Sequence, residues 1–229
     1  WLAIDGTDAT NVWATGVAPS GAPSVAQRDV SYVWVERATA GLDDPAALTA
    51  VWTDKSTGRP WAANEVGRVF RFDSAAGTWV EPVAGPPAAG ARLLALAARS
   101  EDELWVVGEA GTARVWDGIA WRSPDLPAAM PDLTDLVAPV GAPTWIVGRD
   151  AVSLSYADAR SVAERHSLPP GFDALGIDVD RLRVPWAVGG RAGAGVLARW
   201  SGAEWLDEPV PIPGGRLVAL WANPTDGAL

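Results

Sequence analysis

The sequence contains no cysteine, only one histidine and only one methionine. Without cysteine, the chain can form neither disulfides nor thiolate nucleophiles nor cysteine-based zinc sites. The single histidine, His166, excludes metal sites built from several histidines and any catalytic arrangement that needs a second one. No apolar run reaches the about 18 residues with which a helix spans a bilayer. We therefore expect no metal, no cofactor and no membrane span in this chain.

Basic residues are scarce beside acidic ones, with 18 Lys and Arg against 28 Asp and Glu and a net charge of −10. An acidic surface repels phosphate backbones, so nucleic acid is not an expected partner. The absence of cysteine is compatible with an extracellular or periplasmic location in a bacterium, which is the location we expect. The chain begins at Trp1 without Met, so the lack of a signal peptide has no bearing on this expectation.

Tryptophan is abundant, with 14 residues against 3 Phe and 2 Tyr, and much of it belongs to a repeated motif. The motif is Trp-x-x-Gly, with Asn in place of Gly in the second copy, and its copies are spaced by 48, 44, 40 and 41 residues. Since Gly and Asn tolerate a left-handed backbone, we expect the fourth position to have a positive φ. The five copies begin at Trp13, Trp61, Trp105, Trp145 and Trp186.

Other segments recur in step with this motif. An apolar segment precedes each copy, and a segment ending in an aromatic residue follows it. The apolar segments begin at Trp1, Leu48, Leu93, Leu133, Leu175 and, for a sixth time, Leu217. The aromatic residues that follow are Trp34, Phe72, Trp116, Tyr156 and Trp200, and a last segment carries Trp79, Trp121 or Trp205, with Val162 at this place in the fourth repeat. Each repeat therefore predicts four short strands, which we call first to fourth.

Four-stranded units of about 40 residues cannot bury both faces of their sheet alone, but radial stacking buries them. We predict an all-β fold, a β-propeller of four-stranded blades with five full repeats and the first strand of a sixth. The chain is interpreted as a single domain, 1–229, with blades at about 1–40, 41–85, 86–127, 128–169 and 170–213, and with 214–229 opening a further blade. The five motif Trp residues should pack between neighbouring blades.

The two ends of the repeat array indicate whether the blades can close into a ring. First strands at Trp1 and at Leu217 cannot share the innermost position of one blade. We therefore expect an open or incomplete arc, with the remainder of the sixth blade outside this sequence. A closed ring of five blades, with the segment at Leu217 packed irregularly, is the alternative.

The run Asp102–Gly111 followed by Arg114–Trp121 resembles the Trp-rich bacterial propellers described as kelch-like or BNR-like repeat proteins. The resemblance extends over the whole chain at the level of the repeat. It implies the propeller fold and no particular activity. Kelch repeats carry a Gly-Gly doublet, and Gly189 and Gly190 provide one here.

Propellers bind partners mostly through the loops between second and third strands and those between blades. The first such loop is predicted to be long, Val17 to Val30. We predict a non-catalytic binding or assembly scaffold that recognises a protein partner or larger assembly through one face. The candidate residues are Gln27, Arg28 and Asp29 in the first loop, and Glu65, Glu109, Arg149, Asp150 and Arg191 in the later ones.

Two other functions stay open. A carbohydrate-binding lectin would need exposed aromatic residues, for which Trp34, Trp52 and Trp221 are the candidates. A glycan-acting hydrolase or lyase would need buried carboxylates near the axis, where Asp135 and Asp178 are the candidates.

Two smaller groups of residues fit simpler roles. Asp5, Asp8 and Asn11 have an oxygen-rich spacing that could hold Ca²⁺, but turn capping is the favoured interpretation. His166 is predicted to lie in a solvated loop.

Overall fold

The computed structural model describes residues 1–82, 88, 90–210 and 214–222. These residues form two compact units, one made of Trp1–Val106 with Arg114–Arg122, the other of Val107–Ala113 with Ser123–Leu229. The predicted boundaries at residues 85 and 213 and the end of the chain beyond 222 lie outside the described residues. Within the described ranges, no helix is both long enough and apolar enough to cross a membrane.

The strands form five four-stranded antiparallel sheets, each built from consecutive strands. The first sheet contains β1 (Ala3–Asp8), β2 (Asn11–Val17), β3 (Pro23–Arg28) and β4 (Trp34–Glu36); the second contains β5 (Leu48–Thr53), β6 (Pro60–Asn64), β7 (Val69–Asp73) and β8 (Thr78–Val80). The third contains β9 (Leu93–Ser100), β10 (Glu103–Gly108), β11 (Ala113–Trp116) and β12 (Trp121–Arg122), with a short 3₁₀ turn at Glu109–Gly111. The fourth contains β13 (Leu133–Val137), β14 (Thr144–Gly148), β15 (Val152–Tyr156) and β16 (Glu164–Ser167); the fifth contains β17 (Asp173–Val179), β18 (Pro185–Arg191), β19 (Ala194–Trp200) and β20 (Trp205–Glu208). The predicted four-stranded repeat is therefore present five times.

The motif Trp of each second strand points toward the next sheet wherever two neighbouring sheets lie in one unit. Trp13 shares a hydrophobic cluster with Ala62 and Phe70 of the second sheet. In the other unit, Trp145 shares a cluster with Ala187 and Ala198 of the fifth sheet. A large indole on one sheet thus packs on small or flat apolar residues of the following sheet, as close packing of two pleated faces requires.

Trp186, the last motif Trp, is half-buried and is held by polar contacts instead. Its Nε1 donates to Asp180 Oδ2 at 3.2 Å. The Arg199 guanidinium lies over its ring, 5.7 Å from the centroid. By contrast, four motif Trp are buried: Trp13, Trp61, Trp105 and Trp145.

The first strands of successive sheets are joined by side-chain hydrogen bonds. Asp5 Oδ2 accepts the Thr53 N–H at 2.6 Å, which joins β1 to β5. In the other unit, Thr134 Oγ1 donates to Ala174 O at 2.8 Å, which joins β13 to β17. These bonds link neighbouring sheets at the strand where they approach most closely.

Residues 217–222 form no regular strand, yet they lie beside β17 as a further first strand would. Leu217 N donates to Gly189 O at 3.0 Å. Ala222 N donates to Asp178 Oδ2 at 2.8 Å, which repeats the Asp5–Thr53 contact. A sixth repeat that begins at Leu217 stays a prediction, since no strand is present at 217–222 and no second strand follows among the described residues.

The fourth position of the Trp-x-x-Gly motif does not have the positive φ that we predicted. At Gly148 and Gly189, glycine is needed because the backbone of the preceding segment approaches closely. A Cβ on Gly148 would lie 2.4 Å from Asp132 O, and one on Gly189 would lie 2.0 Å from Asp173 O. The prediction of a left-handed backbone at this position is wrong, and the requirement is one of space.

The prediction of a solvated loop at His166 is also wrong. His166 lies in β16, opposite Ser153. Its ring lies 5.0 Å from that of Trp145 and 4.6 Å from that of Trp200, and Ser155 Oγ is 2.9 Å from its Nε2. Burial lowers the pKa of His166, so the neutral ring is favoured. The ring of His166 thus packs between indoles of the fourth and fifth sheets, and Val162 is exposed.

Replacing Trp61 by Ala should lower the free energy of unfolding by about 3–5 kcal/mol, because a fully buried indole leaves a cavity. Trp34→Ala, at a residue that is 47% exposed, is the matched control and should cost less than about 1 kcal/mol. Urea denaturation followed by circular dichroism measures both. Equal losses in the two variants would contradict the role given to the buried indole.

Candidate functional site

Five of the predicted binding residues lie at one end of their sheets, in or beside the turns between second and third strands. Glu65 follows β6, Glu109 lies in the 3₁₀ turn after β10, and Arg149 and Asp150 follow β14. Arg191 is the last residue of β18. We call the ends of the sheets that carry these turns, together with the residues preceding each first strand, the loop face.

The placement of Gln27, Arg28 and Asp29 in the first of these turns is wrong. Gln27 and Arg28 belong to β3, where Gln27 pairs with Trp13, and Asp29 follows that strand. They therefore lie at the end of the sheet opposite the loop face. Gln27 has a structural role there, since its Nε2 donates to Asn11 Oδ1 at 2.8 Å.

Glu65 acts within the fold. Its Oε1 accepts the backbone N–H of Ala47 at 2.9 Å, which holds the turn after β6 to the segment that enters β5. A similar contact joins the third and fourth repeats, where Asp132 Oδ1 accepts the Ala110 N–H at 2.9 Å. Acidic side chains on this face thus hold the turns to neighbouring backbone segments, which is a structural role within the fold.

The second unit has a pocket of about 180 Å³ on its loop face, and this is the candidate site. Three arginines are among its lining residues, Arg149, Arg191 and Arg216, together with Asp173 and the turn at Ala192 and Gly193. Two of these arginines were predicted from the sequence. Arg216 was missed, because it reaches the pocket from the segment that precedes Leu217 and no local signal links it to Arg149.

The charges of the pocket are partly balanced. Arg149 Nε lies 3.4 Å from Asp132 Oδ2, and Arg191 Nη2 lies 2.8 Å from Asp207 Oδ2. Arg216 has no ion-pair partner among the described residues. Since Arg carries five N–H donors, a guanidinium group in one ion pair still has donors to offer.

Tight turns hold these side chains in place. Asp150 and Ala151 have φ values of 54° and 59°, and the Asp150 N–H donates to Asp173 Oδ1 at 3.2 Å. Ala192 and Gly193 have φ values of 50° and 81° in the two-residue turn that joins β18 to β19. Left-handed residues in short hairpins restrict the backbone, so the arginines project from a rigid support.

The two carboxylates considered for catalysis bind backbone N–H groups. Asp135 accepts from Ile177 N at 2.8 Å and from Leu136 N at 2.9 Å. Asp178 accepts from Ala222 N and from Val179 N, each at 2.8 Å. Burial raises the pKa of Asp135 to about 7 and also raises the pKa of Asp178. Asp135 therefore joins two first strands, and Asp178 joins β17 to the segment 217–222.

The oxygen-rich segment at Asp5, Asp8 and Asn11 is occupied by turn contacts. Asp8 Oδ1 accepts from Thr10 N at 2.7 Å, and the hydroxyl and N–H of Thr10 lower the pKa of Asp8. Asn11 Oδ1 accepts the Trp13 indole N–H at 2.8 Å. Among the described residues, no three His, Cys, Asp or Glu side chains are grouped as metal ligands would be.

No protein-family model and no characterised protein sequence matches the chain. Solved structures do match it at low identity. YCF48 bound to D1 peptide is 13% identical, with a TM-score of 0.65 over 95% of this chain and 68% of that one. Virginiamycin B lyase from Staphylococcus aureus is 13% identical, with a TM-score of 0.71 over 94% of this chain and 77% of that one. The WD40 repeats of RRP9 are 11% identical, with a TM-score of 0.65 over 87% of this chain and 59% of that one.

At such identities these likenesses show the fold alone. Together with the five four-stranded antiparallel sheets, they establish that the chain is a β-propeller, which confirms the predicted fold class.

The contribution of Asp135 to stability should fall as pH rises from about 4 to about 7, because its raised pKa means that the folded state holds its proton where the unfolded state has lost it. Asp135→Asn removes this titration. The stability of the Asn variant relative to the wild type should therefore be higher at pH 8 than at pH 5, measured by urea denaturation. Thr134→Val, which removes an uncharged hydrogen bond of the same strand, should show the same difference at both pH values. A relative stability of Asp135→Asn that does not change with pH would contradict this account.

Proposed function

We propose that the chain is a non-catalytic binding or assembly module that recognises a protein partner through its loop face. The observation that carries this proposal is the convergence of Arg149, Arg191 and Arg216 on one pocket. These residues come from three different turns or connections, so the pocket depends on the stacking of two sheets. Binding residues on loops held by a rigid scaffold are the usual arrangement in such folds.

The size of the pocket favours a protein partner over a small molecule. Its volume of about 180 Å³ is below the several hundred Å³ that a pocket for a drug-sized ligand typically has. It can receive one side chain of a larger surface. Guanidinium donors suit a carboxylate or a backbone carbonyl, so an acidic or polar anchor residue of the partner fits best.

Known propellers with similar folds are consistent with this proposal, though they do not test it. One solved neighbour is YCF48 bound to D1 peptide, and another belongs to a mitotic checkpoint complex. We propose a relationship to kelch-like or BNR-like repeats on the basis of the sequence motif. The extracellular or periplasmic location in a bacterium is proposed on the absence of cysteine.

The lectin and the enzyme have weaker support. Trp34 lies in a groove whose described lining offers only indole N–H groups as polar side-chain atoms, and sugar hydroxyls need more hydrogen-bond partners than these. Trp52 packs against the core cluster of the second and third sheets. Asp135 and Asp178 accept backbone N–H groups, which leaves them poorly placed to act on a glycan.

Photo-crosslinking in the native host tests the proposal. Benzoylphenylalanine placed at Ala194, beside the loop-face turn of the fifth sheet, should give a protein adduct. The same group at Leu182, which is 73% exposed at the opposite end of that sheet, is the matched control and should give none.

Charge reversal of the pocket identifies the residues responsible. The double variant Arg149→Glu with Arg191→Glu should lose the adduct formed from position 194, because it replaces donors by repelling charges. Arg160→Glu with Arg181→Glu makes the same change in net charge at exposed positions on the opposite end and should keep the adduct. An adduct that survives reversal of Arg149 and Arg191, in a variant with unchanged circular dichroism, would overturn the proposal.

A further inference from the structure

A second pocket, of about 330 Å³, lies beside the first at the loop-face end of the fifth sheet. Asp207 and Glu208, the last two residues of β20, are among its lining residues. We call it the carboxylate pocket, and the one lined by Arg149, Arg191 and Arg216 the arginine pocket. Arg191 lines both, so the two pockets share one side chain as a wall. The candidate site therefore extends beyond the arginine pocket.

An ion pair fixes the wall between the two pockets. Arg191 Nη2 lies 2.8 Å from Asp207 Oδ2, and Arg191 Nη1 lies 3.3 Å from Asp207 Oδ1. A pair with two such contacts fixes the orientation of both groups. Each group still has hydrogen-bonding capacity, because the Nε–H of Arg191 is not used in this pair and each carboxylate oxygen has a second lone pair.

Glu208 adds further acceptor capacity to the carboxylate pocket. Its Oε1 accepts the Nε–H of Arg199 at 2.8 Å. No donor in the part of the chain that the structure describes reaches its Oε2. The side chains of Glu208 and Asp207 are 28% and 46% exposed, so a partner can reach both. Accessible carboxylate oxygens thus lie next to guanidinium donors, on the two sides of Arg191.

The opposite chemical character of the two pockets limits what can fill them together. An acidic side chain suits the donors of the arginine pocket, and a Lys or Arg side chain suits the acceptors of the carboxylate pocket. The carboxylate pocket is the larger of the two, which leaves room for the longer basic side chain. In an extended segment, side chains two residues apart point to the same side and are separated by roughly 7 Å. This spacing suits two pockets that share a single side chain as a wall.

We propose that the partner presents an extended segment with an acidic residue and, two residues away, a basic residue. The acidic side chain enters the arginine pocket and the basic side chain enters the carboxylate pocket. This inference rests on the proposed function, because it takes the loop face to bind a protein. It adds the charge pattern that the partner must carry, and it gives Asp207 and Glu208 a role in specificity. A segment with two acidic residues at this spacing would place one of them against these carboxylates, which would repel it.

Phage display of random peptides on the immobilised chain tests the inference. Enriched sequences should carry an acidic residue with Lys or Arg two positions away. Ala194→Lys places a positive charge in the lining of the carboxylate pocket without removing an ion pair. It should weaken binding of the most enriched peptide by about tenfold or more, measured by fluorescence anisotropy. Ala203→Lys, in the exposed turn at the opposite end of the same sheet, is the matched control and should bind the peptide like the wild type.

A change of charge in the peptide separates repulsion from a steric effect of the new lysine. Replacing the basic residue of that peptide by Glu should weaken its binding to the wild type and restore its binding to Ala194→Lys, because the pair again has opposite signs.

Three results would overturn the inference: enriched peptides without this charge pattern, binding that Ala194→Lys leaves unchanged, and a selection that enriches no sequence. The proposed function is decided separately, by whether Arg149→Glu with Arg191→Glu abolishes the crosslinked adduct. The failure of one can therefore be distinguished from the failure of the other.

Discussion

The structure depends on one contact, the packing of a second-strand indole on the small apolar residues of the next sheet. Trp13 on Ala62 and Trp145 on Ala187 are two instances of it. A four-stranded sheet of this length has two apolar faces and cannot bury either by itself. The regular spacing of Trp along the chain is the consequence, since successive repeats present the same large group to the sheet that follows.

The polar side chains near the first strands follow from the same constraint. Sheets that approach closely leave N–H groups of the first strands near side chains of the preceding sheet, and a buried N–H group needs an acceptor. Asp5, Asp135 and Asp178 provide it. The role of these carboxylates, two of which could be interpreted as catalytic, is therefore to accept hydrogen bonds from backbone N–H groups. Arginine side chains on the loop face still have N–H donors to offer.

Sequence reasoning reached the repeat, the fold class and the turns that carry Arg149 and Arg191, because those features are local and periodic. It failed where packing overrides local preference. Pro23–Arg28 is rich in residues with weak strand preference, yet it pairs with β2 and moves Gln27 to the opposite end of the sheet. The sequence around His166 predicts a loop, but the His166 ring packs between the indoles of Trp145 and Trp200. Arg216 is distant in sequence from Arg149, and only the stacking of the sheets brings them to one pocket.

The hydrogen bond from Ala222 to Asp178 matches the one from Thr53 to Asp5, although one lies within the regular array and the other at its last described segment. The first, fourth and fifth repeats thus each carry a carboxylate that accepts an N–H group of the segment that follows. Duplication or loss of a whole repeat would then require no new kind of contact between neighbouring sheets. In this architecture, the number of repeats can change during evolution more readily than the sequence of any one strand.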